Sequence, residues 1–208
     1  MISRPAVAAL LLTGALGAAG CSSDDTPTAP AQALASALSA PVPGLSLPAD
    51  PLRALVPSPD EVPPGMVPLL TGSGPRSAAA IAEYSADPAA AAVALADHGF
   101  AGAYVAQYAD PAGARVLSVV VVRFTSAAGA TADLAGDLAA SSGDLVETDP
   151  VGDASQVRRQ PLPGGDQGQL VTVRFRRGAT TWLLAYGDRP EADPAVAVAL
   201  GSLLASRA

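Results

Sequence analysis

Arg115-Val116-Leu117-Ser118-Val119-Val120-Val121-Val122-Arg123-Phe124 is the stretch on which the fold turns. β-Branched side chains lose rotamer freedom in a helix and fit a pleated surface instead, so this run reads as a strand. It is apolar at consecutive positions rather than alternate ones, which predicts a central strand buried on both faces. Upstream, Asp110-Pro111-Ala112-Gly113 has the composition of a type I turn, and Phe100 to Ala109 reads as the partner strand.

Working outward, the helix signals are specific. Asp87-Pro88 is an N-cap followed by proline at the first helical position, and Gly99 after His98 is a stop, predicting a helix from Pro88 to about Asp97. A short helix is expected over Ser77–Tyr84. Another is expected over Ser126–Ala140, with Leu134 and Leu138 on one face and Gly143 beyond its end. Downstream, Gln156 to Leu162 reads as a strand. Leu170 to Arg176 alternates, with Val171, Val173 and Phe175 on one side and Thr172, Arg174 and Arg176 on the other. Arg177-Gly178 supplies a two-residue turn into Thr180–Tyr186, a register that sets Trp182 opposite Val173 on the buried face. Asp193-Pro194 caps a last helix carrying Val196, Leu200, Leu203 and Leu204. The order α-β-β-α, then β-β-β-α, predicts an α+β fold. We expect an antiparallel sheet of about five strands built from hairpins, with helices packed on one face. The two halves share no residue-level identity, so the repeated order does not require duplication.

Residues 76–208 are expected to form this single domain. Residues 21–75 read as a linker and irregular lead-in: prolines recur from Pro27 to Pro75 and interrupt any helix or strand. To about residue 50 the stretch is Ala/Pro/Ser-rich with little to bury, as in an extended tether. Residues 52–70, with Leu52, Leu55, Val56, Val62 and Met66, are apolar enough to pack along the domain.

Residues 1–20 read as a signal peptide. One arginine, Arg4, precedes the uncharged stretch Ala6 to Leu16, eleven residues long and well short of the roughly 20 that span a bilayer. Ala18-Ala19-Gly20-Cys21 resembles the lipobox of bacterial lipoproteins, with Ala18 where that family more often has Leu. The resemblance implies cleavage before Cys21, acylation of its sulfur with a chain such as palmitate, and a membrane anchor at the extracytoplasmic face. Cys21 is the only cysteine, so no internal disulfide forms, and acylation accounts for an otherwise odd lone thiol. Pro59-Asp60-Glu61-Val62-Pro63-Pro64-Gly65 and Val151-Gly152-Asp153 give the layout a further resemblance to small actinobacterial surface lipoproteins with sensor-like extracytoplasmic domains.

Composition excludes several chemistries. The net charge is −7, one unit more negative without Arg4, which argues against a nucleic-acid partner. There is no lysine, hence no Walker-type phosphate loop and no Ser–Lys hydrolase. One histidine and one acylated cysteine leave no zinc set. The acidic cluster Asp144, Glu147, Asp149 and Asp153 lacks calcium-loop spacing and reads as a solvated loop. Gly164-Gly165-Asp166-Gln167-Gly168 reads as a flexible connection. His98, at a helix end and without a Gly-x-Ser-x-Gly elbow, reads as a capping or surface residue. Trp182, Tyr104, Tyr108 and Tyr186 read as core. Arg174, Arg176 and Arg177, with Arg158 and Arg159, read as a solvated strand face.

The expected function is therefore a non-catalytic, membrane-anchored binding or sensor-like domain with no cofactor and no metal. Its partners are the membrane, through Cys21, and an unidentified envelope ligand or protein. Three alternatives stay open at this point. A lipid carrier requires a dry cavity of several hundred Å3. An enzyme requires His98 or a buried carboxylate to meet a serine. A structural protein would hold an acidic polymer on its arginine face.

Overall fold

The computed structural model describes residues 50–162 and 168–208. Cys21, the 1–20 leader and the tether to residue 49 lie outside the described residues, as does most of the Gly164–Gly168 connection. A short 3-10 helix, Pro51–Leu55, leads into strands β1 (Val67–Pro68) and β2 (Gly74–Arg76). Helices α1 (Ala78–Ala82) and α2 (Pro88–Asp97) follow, then the hairpin β3 (Phe100–Ala109) and β4 (Val116–Phe124). After α3 (Ala127–Ala140) come β5 (Asp144–Leu145), β6 (Ala154–Pro161), β7 (Gln169–Arg177), β8 (Thr180–Asp188) and finally α4 (Pro194–Ala205). The two aspartate caps read from sequence, Asp87 and Asp193, are made, and Ser126 adds a third. Asp87 accepts from Ala90 N at 3.0 Å, Ser126 from Gly129 N at 3.1 Å, and Asp193 from Ala195 N at 2.8 Å.

The strands form one antiparallel sheet in the order β1-β3-β4-β8-β7-β6-β5, with β2 also paired to β3. It has eight strands, three more than expected, because β1, β2 and β5 are only two or three residues long. Pieces that short carry no readable period. Pro68 and Pro75 are tolerated because β1 and β2 lie on the sheet edge, where a missing N–H breaks no ladder.

The helices do not keep to one face, which corrects the second expectation. Apolar side chains of the 3-10 helix, the segment to Met66 and α4 cover one face, over Leu117, Val119, Val121, Val173, Phe175 and Leu184. Helices α1, α2 and α3 cover the other, over Val105, Val120, Val122 and Phe124. Alternate valines of β4 point to opposite faces, and both sets are buried. A strand apolar on both sides needs cover on both sides.

The lead-in is built into the first of these faces. Leu52, Leu55, Val56, Val62 and Met66 are all buried. Trp182 Nε1 donates to Leu55 O at 3.0 Å, Tyr108 Oη donates to Pro57 O, and Arg207 reaches Val56 O at 2.9 Å and Glu61. Trp182 lies opposite Phe175 rather than Val173, because the two-residue loop is Gly178-Ala179. A shift of two residues preserves the face, and the two rings stack 4.9 Å apart.

Candidate functional site

The two faces are filled differently. Under α4 the first face is filled by large, essentially inaccessible side chains, including Trp182, Phe175, Leu184 and Leu204, and the opening on that face, about 370 Å3, lies to the side, between the lead-in at Val56 and Glu61, Tyr104, Tyr108 and Arg207. On the other face α1, α2 and α3 are poor in bulk: α2 reads PAAAAVALAD and α3 AAGATADLAGDLAA. Ala82 and Ala130 do pack onto the sheet, but side chains this short leave space beside those contacts, and a cavity of about 350 Å3 remains between the helices and β4, β8 and β7.

Register fixes the floor of this cavity. Val120, Leu183 and Arg174 form one row across β4, β8 and β7, and Ser118, Ala185 and Thr172 form the next. Arg174 is thus buried, 7% exposed, and not on a solvated strand face. Its Nη1 donates to Thr172 Oγ1 at 3.3 Å, while its Nε, 4.0 Å from Asp137, has no hydrogen bond. Desolvation lowers the guanidinium's affinity for its proton, Asp137 opposes this, and Arg158 adds to it. The remaining arginines are engaged elsewhere: Arg176 and Arg177 pair with Asp153 at 3.0 and 3.8 Å, and Arg159 with Glu191 at 3.4 Å. Arg158 donates to Gly143 O and Gln156. The surface that a polymer-holding role needs is therefore not displayed by Arg174 or Arg176.

Helix α3 supplies the acids. Asp133 accepts from Thr181 Oγ1 at 3.0 Å, and Asp137 lies one turn further on. The Asp133 carboxyl is pushed up to about 7, mainly by desolvation and then by the nearby Asp137, with the Thr181 hydrogen bond opposing. Asp137 is also raised by desolvation, offset by Arg174. Its side chain, which lines the cavity, is 55% exposed. Sequence reading passed over both acids. The signal was present: Ala130, Asp133, Leu134 and Asp137 are spaced i, i+3, i+4, i+7, placing two carboxylates on the helix face that carries buried Ala130 and Leu134.

His98 caps α2 at the cavity wall, half-buried, with its ring edge-on to Phe124 and its Nδ1 buried without a hydrogen bond. Gly129 holds this corner together. A Cβ there would stand 1.9 Å from His98 O, so only glycine lets the first turn of α3 approach the end of α2. The serines lining the cavity do not meet His98 or a carboxylate. Ser118 Oγ is buried without a partner, Ser142 donates to Gln160, and Ser85 accepts from Asp87 N.

The other short motifs serve the fold. Glu61 pairs with Arg207. Val151 is buried, Asp153 gathers Arg176 and Arg177, and Gly152 (φ +66°) lies where a Cβ would be 2.4 Å from Arg176 O. Tyr104, Tyr108, Trp182 and Tyr186 are all buried, as core residues.

No protein-family model and no curated protein matches the chain. Among solved structures it is similar to the extracellular domain of PknH from Mycobacterium tuberculosis. The TM-score is 0.54 at 11% identity, over 74% of this chain and 93% of that one. At that identity the likeness is one of fold: this α+β arrangement also occurs as an extracellular domain.

Proposed function

We propose that this chain is an extracytoplasmic lipoprotein, cleaved before Cys21 and tethered through it, whose domain binds a ligand without transforming it. The observation that carries the reading is the cavity of about 350 Å3, mostly apolar in its lining but floored by buried Arg174 and Ser118 with unmet hydrogen-bonding atoms. Binding sites have this character: concave, apolar, with a few convergent polar groups. The leader, the lipobox and the fold shared with an extracellular domain support the location. The serine environments favour binding over catalysis.

Carriage of a whole membrane lipid is a weaker reading. The cavity reaches the several hundred Å3 that a carrier needs but is not dry, since buried Arg174 and Ser118 with unmet hydrogen-bonding atoms form its floor. The test is recovery of the protein from native membranes, followed by denaturing and native mass spectrometry. We expect acyl mass on a chain beginning at Cys21, loss of membrane retention with Cys21→Ser, and a small-molecule adduct that disappears when Val120→Trp fills the cavity. A soluble, unacylated chain refutes the anchor. An adduct that survives Val120→Trp refutes the site.

A further inference from the structure

The cavity is graded from one end to the other, and the gradient specifies a ligand. At the α1–α2 end its wall is Ile81, Ala91, Ala94 and Leu95. Two strand spacings away, about 10 Å, the row that begins at Val120 ends at Arg174. There a guanidinium is buried with one hydrogen bond, to Thr172 Oγ1, and an orphan Nε. The neighbouring carboxylate, Asp137, stands 4.0 Å from that Nε, beyond hydrogen-bond reach, and is half in water. A buried cation without a hydrogen-bonded counter-ion is costly, and the group that best completes a guanidinium is a planar oxyanion.

We propose that the cavity takes an amphipathic monocarboxylic acid, its carboxylate on Arg174 and its apolar chain along the α1–α2 wall. A cavity of about 350 Å3 admits a chain of medium length, for which a ten-carbon acid serves as the probe. Asp137 from α3 and Arg158 from β6 act on Arg174 directly, and Asp133 from α3 and His98 from α2 line the same cavity. Two acids at the rim disfavour a doubly charged headgroup, which selects a carboxylate over a phosphate monoester. They also couple binding to pH. Below about 7 the Asp133 carboxyl holds its proton and ceases to repel the ligand, so affinity for an acid rises as pH falls from 8 to 6. An amine ligand would show the opposite slope.

This inference rests on the cavity being the binding site, and the experiment separates the two. The mature chain carrying Cys21→Ser, which needs no detergent, is titrated calorimetrically with decanoate, decan-1-ol and decylamine at pH 6 and pH 8. Decanoate is expected to bind best, at least about tenfold tighter than decanol, and about fivefold tighter at pH 6 than at pH 8. Arg174→Gln should weaken decanoate about tenfold or more and leave decanol nearly unchanged. If that variant does not fold, Asp137→Asn gives the converse reading, because loss of the rival carboxylate should tighten decanoate. Decylamine binding best, or decanol equalling decanoate, overturns the acid while leaving the cavity as a site. If none of the three binds, the acid is overturned, and the adduct recovered from native membranes decides the cavity separately.

Discussion

Asp133→Asn should make the protein more stable at pH 8 and change little at pH 4.5. The carboxyl ionises at about 7 in the folded chain against 3.8 when unperturbed, chiefly because burial opposes its charge. Between these values the folded state keeps a proton that the unfolded chain has released. Stability therefore falls as pH rises from about 4 to 7 and levels off above. A shift of about three units corresponds to a ceiling of roughly 4 kcal/mol. Water entering through the cavity mouth reduces this to an expected difference of about 1–3 kcal/mol. Asparagine carries no charge and keeps an oxygen that can accept from Thr181, so it removes the penalty and retains the contact. For a body of this size the variant should melt about 2–12 °C higher at pH 8, with most of the gap closed at pH 4.5. Thermal melts followed by circular dichroism, on both chains at pH 4.5, 6 and 8, measure this directly. A variant less stable at pH 8, or a difference independent of pH, would refute the claim that Asp133 is a desolvated acid.

The opposite sign is expected for Glu61, whose carboxyl is held at about 2, against 4.5, chiefly by the Arg207 hydrogen bond and then by Ser58 N–H. Its contribution is present above pH 4.5 and lost as pH falls toward 2, so Glu61→Gln should lower the melting temperature at pH 7 and converge on the parent near pH 2.5. Gly129→Ala places a methyl 1.9 Å from His98 O and should cost about 3 kcal/mol or more, read as a drop in the urea midpoint. Phe175→Ala empties a fully buried site stacked on Trp182 and should cost about 3–5 kcal/mol, with a change in tryptophan fluorescence of the folded protein.

The long elements were legible because each carries a local cause. The bounds of α2, Pro88–Asp97, and of β3, Phe100–Ala109, coincide with those read from caps and turns. The valine run of β4 announced a strand buried on both faces, and its neighbours β3 and β8 bear that out. That same run implied helices on both sides, an implication the one-face expectation did not draw. The cavity was not legible, because its existence depends on which helix lies over which strand. Thr172, Arg174 and Arg176 alternate with Val171, Val173 and Phe175 as in a strand with one wet face. Only the placement of α3 over β7 converts that wet face into an interior. The two acids of α3 announced the same thing from the other side, since a stripe bearing Ala130 and Leu134 has no reason to carry Asp133 and Asp137 unless it covers something polar.

This reciprocity between α3 and β7 explains how a modest core coexists with a cavity. Side chains on one strand alternate between faces, so a single stretch of sequence serves two purposes without compromise. In β7, Val171, Val173 and Phe175 go to the face that α4 covers. Thr172 and Arg174 go to the other one. In β8, Trp182, Leu184 and Tyr186 belong to the first set, and Thr181, Leu183 and Ala185 line the second. Apolar area buried on the α4 face stabilises the sheet at about 25 cal/mol per Å2, while the other face keeps a buried arginine with an orphan Nε. A register slip of one residue would exchange the two sets, so strand register is under constraint from both faces at once. The loop Gly178-Ala179 and the Asp153 clamp on Arg176 and Arg177 hold that register at the hairpin end.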